Sequence, residues 1–454
     1  MAKSEFASKI GLIAATVGSA VGLGNIWRFP AETQANGGSA FLLLYIICVL
    51  VLGIPVMLAE FSLGRGSKSD AIGAFLHFKP HKPWWLVGAL AVLTPYLICC
   101  YYMVVAGWTL EYLVESVDGN LYAGLSGLDT DDIRAAFATR MSEYISTDVR
   151  PVLYTIALLV INAGILLGGV QKGIERLSNV MMPILFVILA IMCVVSLSLP
   201  DASEGVRFFL YPDFTKITPG IVINALGQAF FSLSLGMGIL ITYSAYYPRS
   251  TNLMRTSVIV ALMSLLVAIM VGLIIFPAIK SFGLDNESLE GATLVFVTLP
   301  EIFARMPLSG LWSTLFFTLL FVAALTSCVS IAEVPIATLQ DRLHMSRSKA
   351  VAVVFIPLMF LSTLCALSFG SLSNITICGQ TIFNFLDNIT TNIFLPVVSL
   401  GVCIFVGWVG PRTLLRDELT NNGTIRSHFS FIITWVIRYL APGLIVIIFL
   451  NHFL

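Results

Sequence analysis

Hydrophobic residues along this chain run in long blocks separated by short polar stretches, and blocks of about 20 residues predict membrane-crossing helices. The blocks fall near 10–36, 40–64, 84–115, 151–169, 174–199, 218–247, 253–280, 308–340, 347–369, 376–409 and 429–452, which makes eleven candidate spans. The first, third, sixth, eighth and tenth are longer than a bilayer needs and should be tilted, broken or extended beyond it. Residues 116–150 form the longest loop without an apolar run, and 130–144 could form an amphipathic outer helix there. Residues 290–306 look too polar and short to span, and predict a helical hairpin over the outer face. The expected class is an all-α polytopic membrane protein of a single transporter domain, 1–454.

Two blocks break the rule that a spanning helix should be uninterrupted. Residues 18–30 read GSAVGLGNIWRFP. A glycine costs a helix interior roughly 1 kcal/mol relative to alanine, and an arginine at membrane depth at least about 2.5 kcal/mol. Lipid cannot satisfy a broken backbone, so such a stretch must line a cavity or be covered by protein. A glycine-rich packing face is the plainer alternative, but glycine alone does not account for Asn25 and Arg28. The second interruption, FFSLSLGMGILITY at 230–243, places Gly236, Met237 and Gly238 after Ser232 and Ser234. These two spans each open a five-helix set, 10–199 and 218–409, with 429–452 as an eleventh helix. Interruptions at matching positions of two halves point to a transporter built on an inverted repeat. An odd number of crossings forces the second set to be inverted.

Composition sharpens this picture. Of 454 residues 57% are hydrophobic and 11% charged, against about 25% charged in soluble domains. The net charge of zero gives no reason to invoke nucleic acid. Lysine and arginine concentrate in alternate connections: Lys3 and Lys9 before the first span, then Arg65, Lys68, Lys79 and Lys82, Lys172 and Arg176, Arg249 and Arg255, Arg342, Arg347 and Lys349, and Arg412, Arg416 and Arg426. The basic side is cytoplasmic, so the N-terminus is expected inside and the C-terminus outside a cell membrane. The eight cysteines lie mostly in apolar runs without zinc or disulfide spacing, and the five histidines form no cluster. With no HExxH, GxSxG or acidic dyad, an enzyme is not expected. The first block is too long for a cleavable signal peptide.

The sequence resembles the neurotransmitter:sodium symporter family, and most of all its bacterial amino-acid branch. The likeness rests on GSAVGLGNIWRFP at 18–30, NGGSAF at 36–41, GIPVMLAEFSLGR at 53–65, Tyr101–Tyr102 with Trp108, GIERLSNVMMP at 173–183, GQAFFSLSLGMG at 227–238 and ALTS at 324–327. The resemblance implies sodium-coupled uptake of a neutral, hydrophobic or aromatic L-amino acid by alternating access. One or two Na+ ions would be coupled. The partners implied are the amino acid, the lipid bilayer and, as one option, a second copy of the chain.

Residue by residue, the resemblance implies one sodium site made by Gly18, Val21 and Ala323 carbonyls with Thr326 and Ser327 hydroxyls. Hard cations take such oxygens, although Ser and Thr in a helix also bond back to their own carbonyls. The other sodium site would use Ala20, Asn25, Ser232 and, eight residues before Gly272, Ser264. Relatives carry Asn or Asp there, and a serine or carboxylate where this chain has Ala268, so chloride dependence is doubtful. The substrate carboxylate suits the half-helix amides around Leu23 and Gly24 with the Tyr102 hydroxyl. The amine suits carbonyls near Ala20, Phe231 and Ser232. Ser19 replaces the aspartate of monoamine carriers, which argues for a zwitterion. Ile98, Phe231, Ser234, Met237, Ser327 and Ile331 should line the side-chain pocket, and Met237 is adaptable, leaving room for aromatic substrates.

For gates, the resemblance pairs Arg28 with Asp387 outside, above Tyr102 and Phe231. Inside, it sets Asp341 against Lys3, with Tyr246 and Glu333 in the same network and Phe6 where relatives place tryptophan. Arg28 and Asp387 could instead be a static pair, and Pro183 either an unwinding point or a fixed kink. A channel would need a continuous polar pore, which the mid-depth clustering of polar residues opposes. An amino-acid-binding receptor or sensor without transport is the alternative left standing.

Overall fold

The computed structural model describes residues 5–125, 127–284, 291–425 and 429–451. Among them, nine unbroken helices are long and apolar enough to cross a membrane: Ser39–Ser67, Trp85–Val117, Val149–Leu167, Val170–Leu197, Leu253–Ser281, Ser309–Leu343, Arg347–Leu367, Ile382–Val409 and Ser430–Leu450. Lys9–Ala20 and Gly24–Ala35 make one further span bent by 50°. Pro219–Ser232 and Ile239–Ala245, separated by an irregular stretch at 233–238, make another. Both broken spans sit where the glycines fall.

Burial sorts the helices into a core and a rim. The eighth span, Ser309–Leu343, is 83% buried over its apolar window, whereas the eleventh, Ser430–Leu450, is 28% buried. At 35 residues the eighth is roughly 50 Å long, more than the hydrocarbon core of about 30 Å. The third span packs along it, the first span packs on the fifth, seventh and eighth, and the second half of the sixth packs on the second. Pro183 lies inside a continuous helix, Arg176–Leu197.

The connections after the second, fourth, eighth and tenth spans interlock on one face. Arg342 reaches Asp70 at 2.9 Å, Arg347 Nε donates to the Leu166 carbonyl at 2.7 Å, and Glu418 takes both Arg65 and Arg249. These loops carry the basic residues, so the charge alternation reports a shared side.

Two local expectations change. The tenth span does not begin at 376: residues Thr376–Ile377 and Gln380–Thr381 pair as an antiparallel hairpin and the helix starts at Ile382. Cys378 and Gly379 have φ of 51° and 78°, the positive values that a tight two-residue hairpin turn requires. The stretch after the seventh span is one short apolar helix, Gly291–Ala304, in place of a polar hairpin. Residues 294–303 are almost wholly buried, with Phe296 packed edge-on against Trp27 and Trp108. Its apolar face folds it in against the first and third spans. The helix expected at 130–144 does form, as Thr130–Ser146.

Candidate functional site

The first helix stops where Val21 turns extended, with φ −96° and ψ 95°. Each carbonyl just before that point meets a side chain from elsewhere. Gly18 O accepts the Ser327 hydroxyl at 3.4 Å, Ser19 O accepts the Ser234 hydroxyl at 2.7 Å, and Ala20 O accepts the Asn25 amide at 3.2 Å. These are the oxygens that an intact helix would have spent internally. Here they face the eighth helix, the sixth-span break and Asn25 beyond the break in their own span.

Gly18 lies against the eighth helix: a Cβ there would sit 3.4 Å from Thr326 Cβ. Thr326 Oγ1 back-bonds to the Val322 and Ala323 carbonyls, both at 3.1 Å. The structure therefore brings Gly18, Ala323, Thr326 and Ser327 into one oxygen-rich corner beside Val21. Asn25, Ala20 and Ser264 form a second group, with Asn25 Nδ2 donating to Ser264 Oγ at 3.0 Å. Ser232 joins through Tyr45, whose hydroxyl donates to Ser232 Oγ at 2.8 Å. Asn25 Oδ1 is buried and, among the described residues, has no hydrogen-bond partner. An orphaned oxygen beside neutral hydroxyls suits a small hard cation.

Between these corners lies the expected substrate position. The Leu23 N–H donates to the Tyr102 hydroxyl at 3.1 Å. A Cβ at Gly22 would come 2.4 Å from Ser327 Oγ, and one at Gly24 2.8 Å from the Phe231 ring. Only glycine lets the backbone lie this close to the third, sixth and eighth spans. Ile98, Met237 and Ile331 are buried around it. Within the sixth-span break, Ser234, Gly236 and Gly238 have φ of 55°, 77° and 66°.

Several contributors were not singled out from sequence. Glu60, within GIPVMLAEFSLGR, accepts the Gly236 N–H at 2.8 Å and props the sixth-span break. Gln228 donates to Gly24 O at 3.0 Å. Tyr45 donates to Ser232 of the second group. Each is a lone polar residue in an apolar run, which periodicity does not flag; only the cost of burying a carboxylate or amide unpaired could have marked it.

The gates differ from expectation. The structure does not bring Arg28 and Asp387 together. Arg28 lies 3.6 Å from Glu32, one turn along, with its guanidinium 5.0 Å over the Phe231 ring. Asp387 accepts from Thr391, also one turn along, at 3.2 Å. Each charge is met by its own helix, and Arg28, Phe231 and Thr391 line a cavity of about 60 Å³. On the other face Tyr246 donates to Glu333 at 3.0 Å. Arg347, an unforeseen partner, binds Glu333 at 2.6 Å. Asp341 accepts the Asp70 N–H at 2.8 Å, and Lys3 lies outside the described residues. Phe6 is buried among Tyr243, Tyr246 and Tyr247, with ring centroids 6.0–6.4 Å away. Just after it, Ala7 N–H and the Ser8 hydroxyl bind Glu175 at 2.8 Å and 2.7 Å.

With this geometry in view, comparison with known proteins is informative. The family model described as "Sodium:neurotransmitter symporter family" matches residues 3–125 and 137–454. A sodium-dependent transporter, YhdH, of Bacillus subtilis is 36% identical over 98% of this chain and 97% of its own length. One of Haemophilus influenzae is 35% identical over 99% and 98%. Among solved structures, that of MhsT in complex with L-phenylalanine superposes with a TM-score of 0.88 at 38% identity, covering 99% of each chain.

Proposed function

The chain belongs to the sodium:neurotransmitter symporter family and is a sodium-dependent membrane transporter, and from that premise we propose that it carries a neutral, hydrophobic or aromatic L-amino acid inward by alternating access. The observation that carries this reading is the run of carbonyls at Gly18, Ser19 and Ala20, each turned out of its helix toward a polar side chain. A zwitterion and a sodium ion need such bare peptide groups at mid-membrane.

The corner at Gly18, Val21, Ala323, Thr326 and Ser327 is the better sodium site, because a hydroxyl and a freed carbonyl already meet there. The group at Ala20, Asn25, Ser232 and Ser264 offers only neutral ligands, and full occupancy would lean on the substrate carboxylate. Tyr102 with the Leu23 amide receives that carboxylate, and the carbonyls at Ala20 and Phe231 the amine. Met237, Ile98 and Ile331 supply an apolar pocket for the side chain. The two five-helix sets, 10–199 and 218–409, act as inverted halves with the N-terminus cytoplasmic and the C-terminus outside. Sodium favours the outward-facing state, and substrate permits closure.

The test is uptake of radiolabelled phenylalanine, tryptophan, leucine and glutamate into proteoliposomes with sodium or potassium outside. Sodium-dependent accumulation of the apolar members is expected. Binding without accumulation would favour a sensor, and accumulation of glutamate alone would overturn the substrate class.

A further inference from the structure

Where the tenth span ends and the eleventh begins, a cavity of about 770 Å³ opens toward the rim of the protein, lined by Arg412, Arg416, Phe431, Trp435, Arg438 and Tyr439 among others. Among the described residues, no carboxylate lines it. The nearby Glu418 is already occupied by Arg65 and Arg249. Among the described residues, Arg412, Arg416 and Arg438 make no ion pair. Three guanidinium groups thus share one hollow without a counter-charge among the described residues.

Depth makes this arrangement costly unless something answers it. Arg438 lies eight residues into Ser430–Leu450, which is about 12 Å along the helix. Its Nε donates to the Gly407 carbonyl at 2.6 Å, and its guanidinium stands 6.0 Å from the Trp408 ring. Trp408 Nε1 in turn donates to the Arg438 carbonyl at 3.1 Å. These contacts fix the side chain while leaving its terminal nitrogens without an acceptor among the described residues. An arginine inside a spanning segment normally pairs with an acid or a backbone oxygen, and here the Gly407 carbonyl answers Nε alone.

The rim of the hollow is aromatic and open. Trp408, Trp435 and Tyr439 are each at least half exposed, and Phe431 is 80% exposed. Exposed tryptophan and tyrosine at a helix end mark the headgroup level of a bilayer. The loop belongs to the basic face described above. We propose that this cavity holds the phosphodiester of an anionic phospholipid, with the three arginines on the phosphate and the acyl chains along Phe431 and Trp435. Arginine matches phosphate oxygens with paired N–H donors, and basic pockets between spanning helices on the cytoplasmic side suit such headgroups. A free phosphate would use the arginines and leave the aromatic rim unexplained.

The test uses the full-length protein reconstituted in vesicles of phosphatidylethanolamine with phosphatidylglycerol, re-extracted in mild detergent, its retained lipid measured by mass spectrometry. Wild type should retain phosphatidylglycerol, and Arg412→Gln/Arg416→Gln should lose about tenfold of that retention. Both side chains are exposed, so this variant should fold. Arg438→Lys keeps the charge and should fall between the two. Lys172→Gln/Arg176→Gln, on another basic loop, should match wild type. A thermal-shift arm compares a short-chain phosphatidylglycerol with inorganic phosphate at equal concentration, and only the lipid should stabilise wild type. Undiminished retention in Arg412→Gln/Arg416→Gln, equal retention of phosphatidylcholine, or equal stabilisation by inorganic phosphate would each overturn the proposal.

Discussion

The two helix breaks at the centre of this protein are built in different ways. In the first span the backbone leaves the helix without any positive φ: Val21 is extended, and Gly22 and Gly24 are needed for space alone. In the sixth, Ser234, Gly236 and Gly238 all take left-handed conformations, and the carboxylate of Glu60 clamps the Gly236 amide. The first break presents carbonyls to hydroxyl and amide donors that can let go. The second is a braced turn whose shape is fixed by backbone strain and a buried acid. A site that must bind and release needs both, a yielding set of ligands and a platform that does not yield with them.

The difference can be tested by crowding each break with one methyl group. Gly236→Ala should be the most damaging, since φ of 77° would cost alanine about 1–2 kcal/mol. Its Cβ would also stand 2.5 Å from the Leu395 carbonyl. Monodisperse protein on size exclusion should largely disappear. Recovery of normal yield would show that the platform is softer than described. Gly22→Ala has no φ penalty, but its methyl would displace the Ser327 hydroxyl 2.4 Å away. Normal yield is expected with sodium affinity in uptake reduced by tenfold or more, as a lost charge-facing hydrogen bond of about 1.5–3 kcal/mol predicts. A fall in yield like that of Gly236→Ala would erase the contrast.

Two milder changes sharpen it. Ser264→Asp puts a charge beside Asn25, which Ser264 already meets at 3.0 Å. Half-maximal sodium for uptake should fall about fivefold, the Coulombic gain being cut by desolvation of the carboxylate. No shift in the titration would mean that this group does not bind the ion. Ser234→Ala removes the hydroxyl that joins the two breaks through the Ser19 carbonyl at 2.7 Å. One neutral hydrogen bond is worth about 1 kcal/mol, so apparent substrate affinity should weaken by only a few-fold. An effect as large as that of Gly22→Ala would make the link between breaks the dominant element.

Much of the architecture was legible because the bilayer imposes a crude rule. A span needs a long apolar run, and a break inside one is visible as glycines beside Asn25 or Ser234. Finer features obey rules that a linear pattern does not carry. TICGQT at 376–381 reads as the start of the tenth span, yet the turn at Cys378 and Gly379 folds it into a hairpin ahead of the helix. Residues 290–306 read as too polar and short to span, yet 294–303 are buried, with Phe296 edge-on against Trp27 and Trp108. Arg28 meets Glu32 one turn away where the resemblance implies Asp387, because a glutamate on the same helix competes with any distant aspartate. Glu60, Tyr45 and Gln228 were missed for a shared reason: their partners lie far along the chain, and only packing introduces them.

One feature near the start of the chain bears on handling the protein. Phe6 is a bung pushed into a ring of three tyrosines, and the next two residues are hooked onto Glu175. A reporter or affinity tag added ahead of Glu5 would pull directly on these contacts.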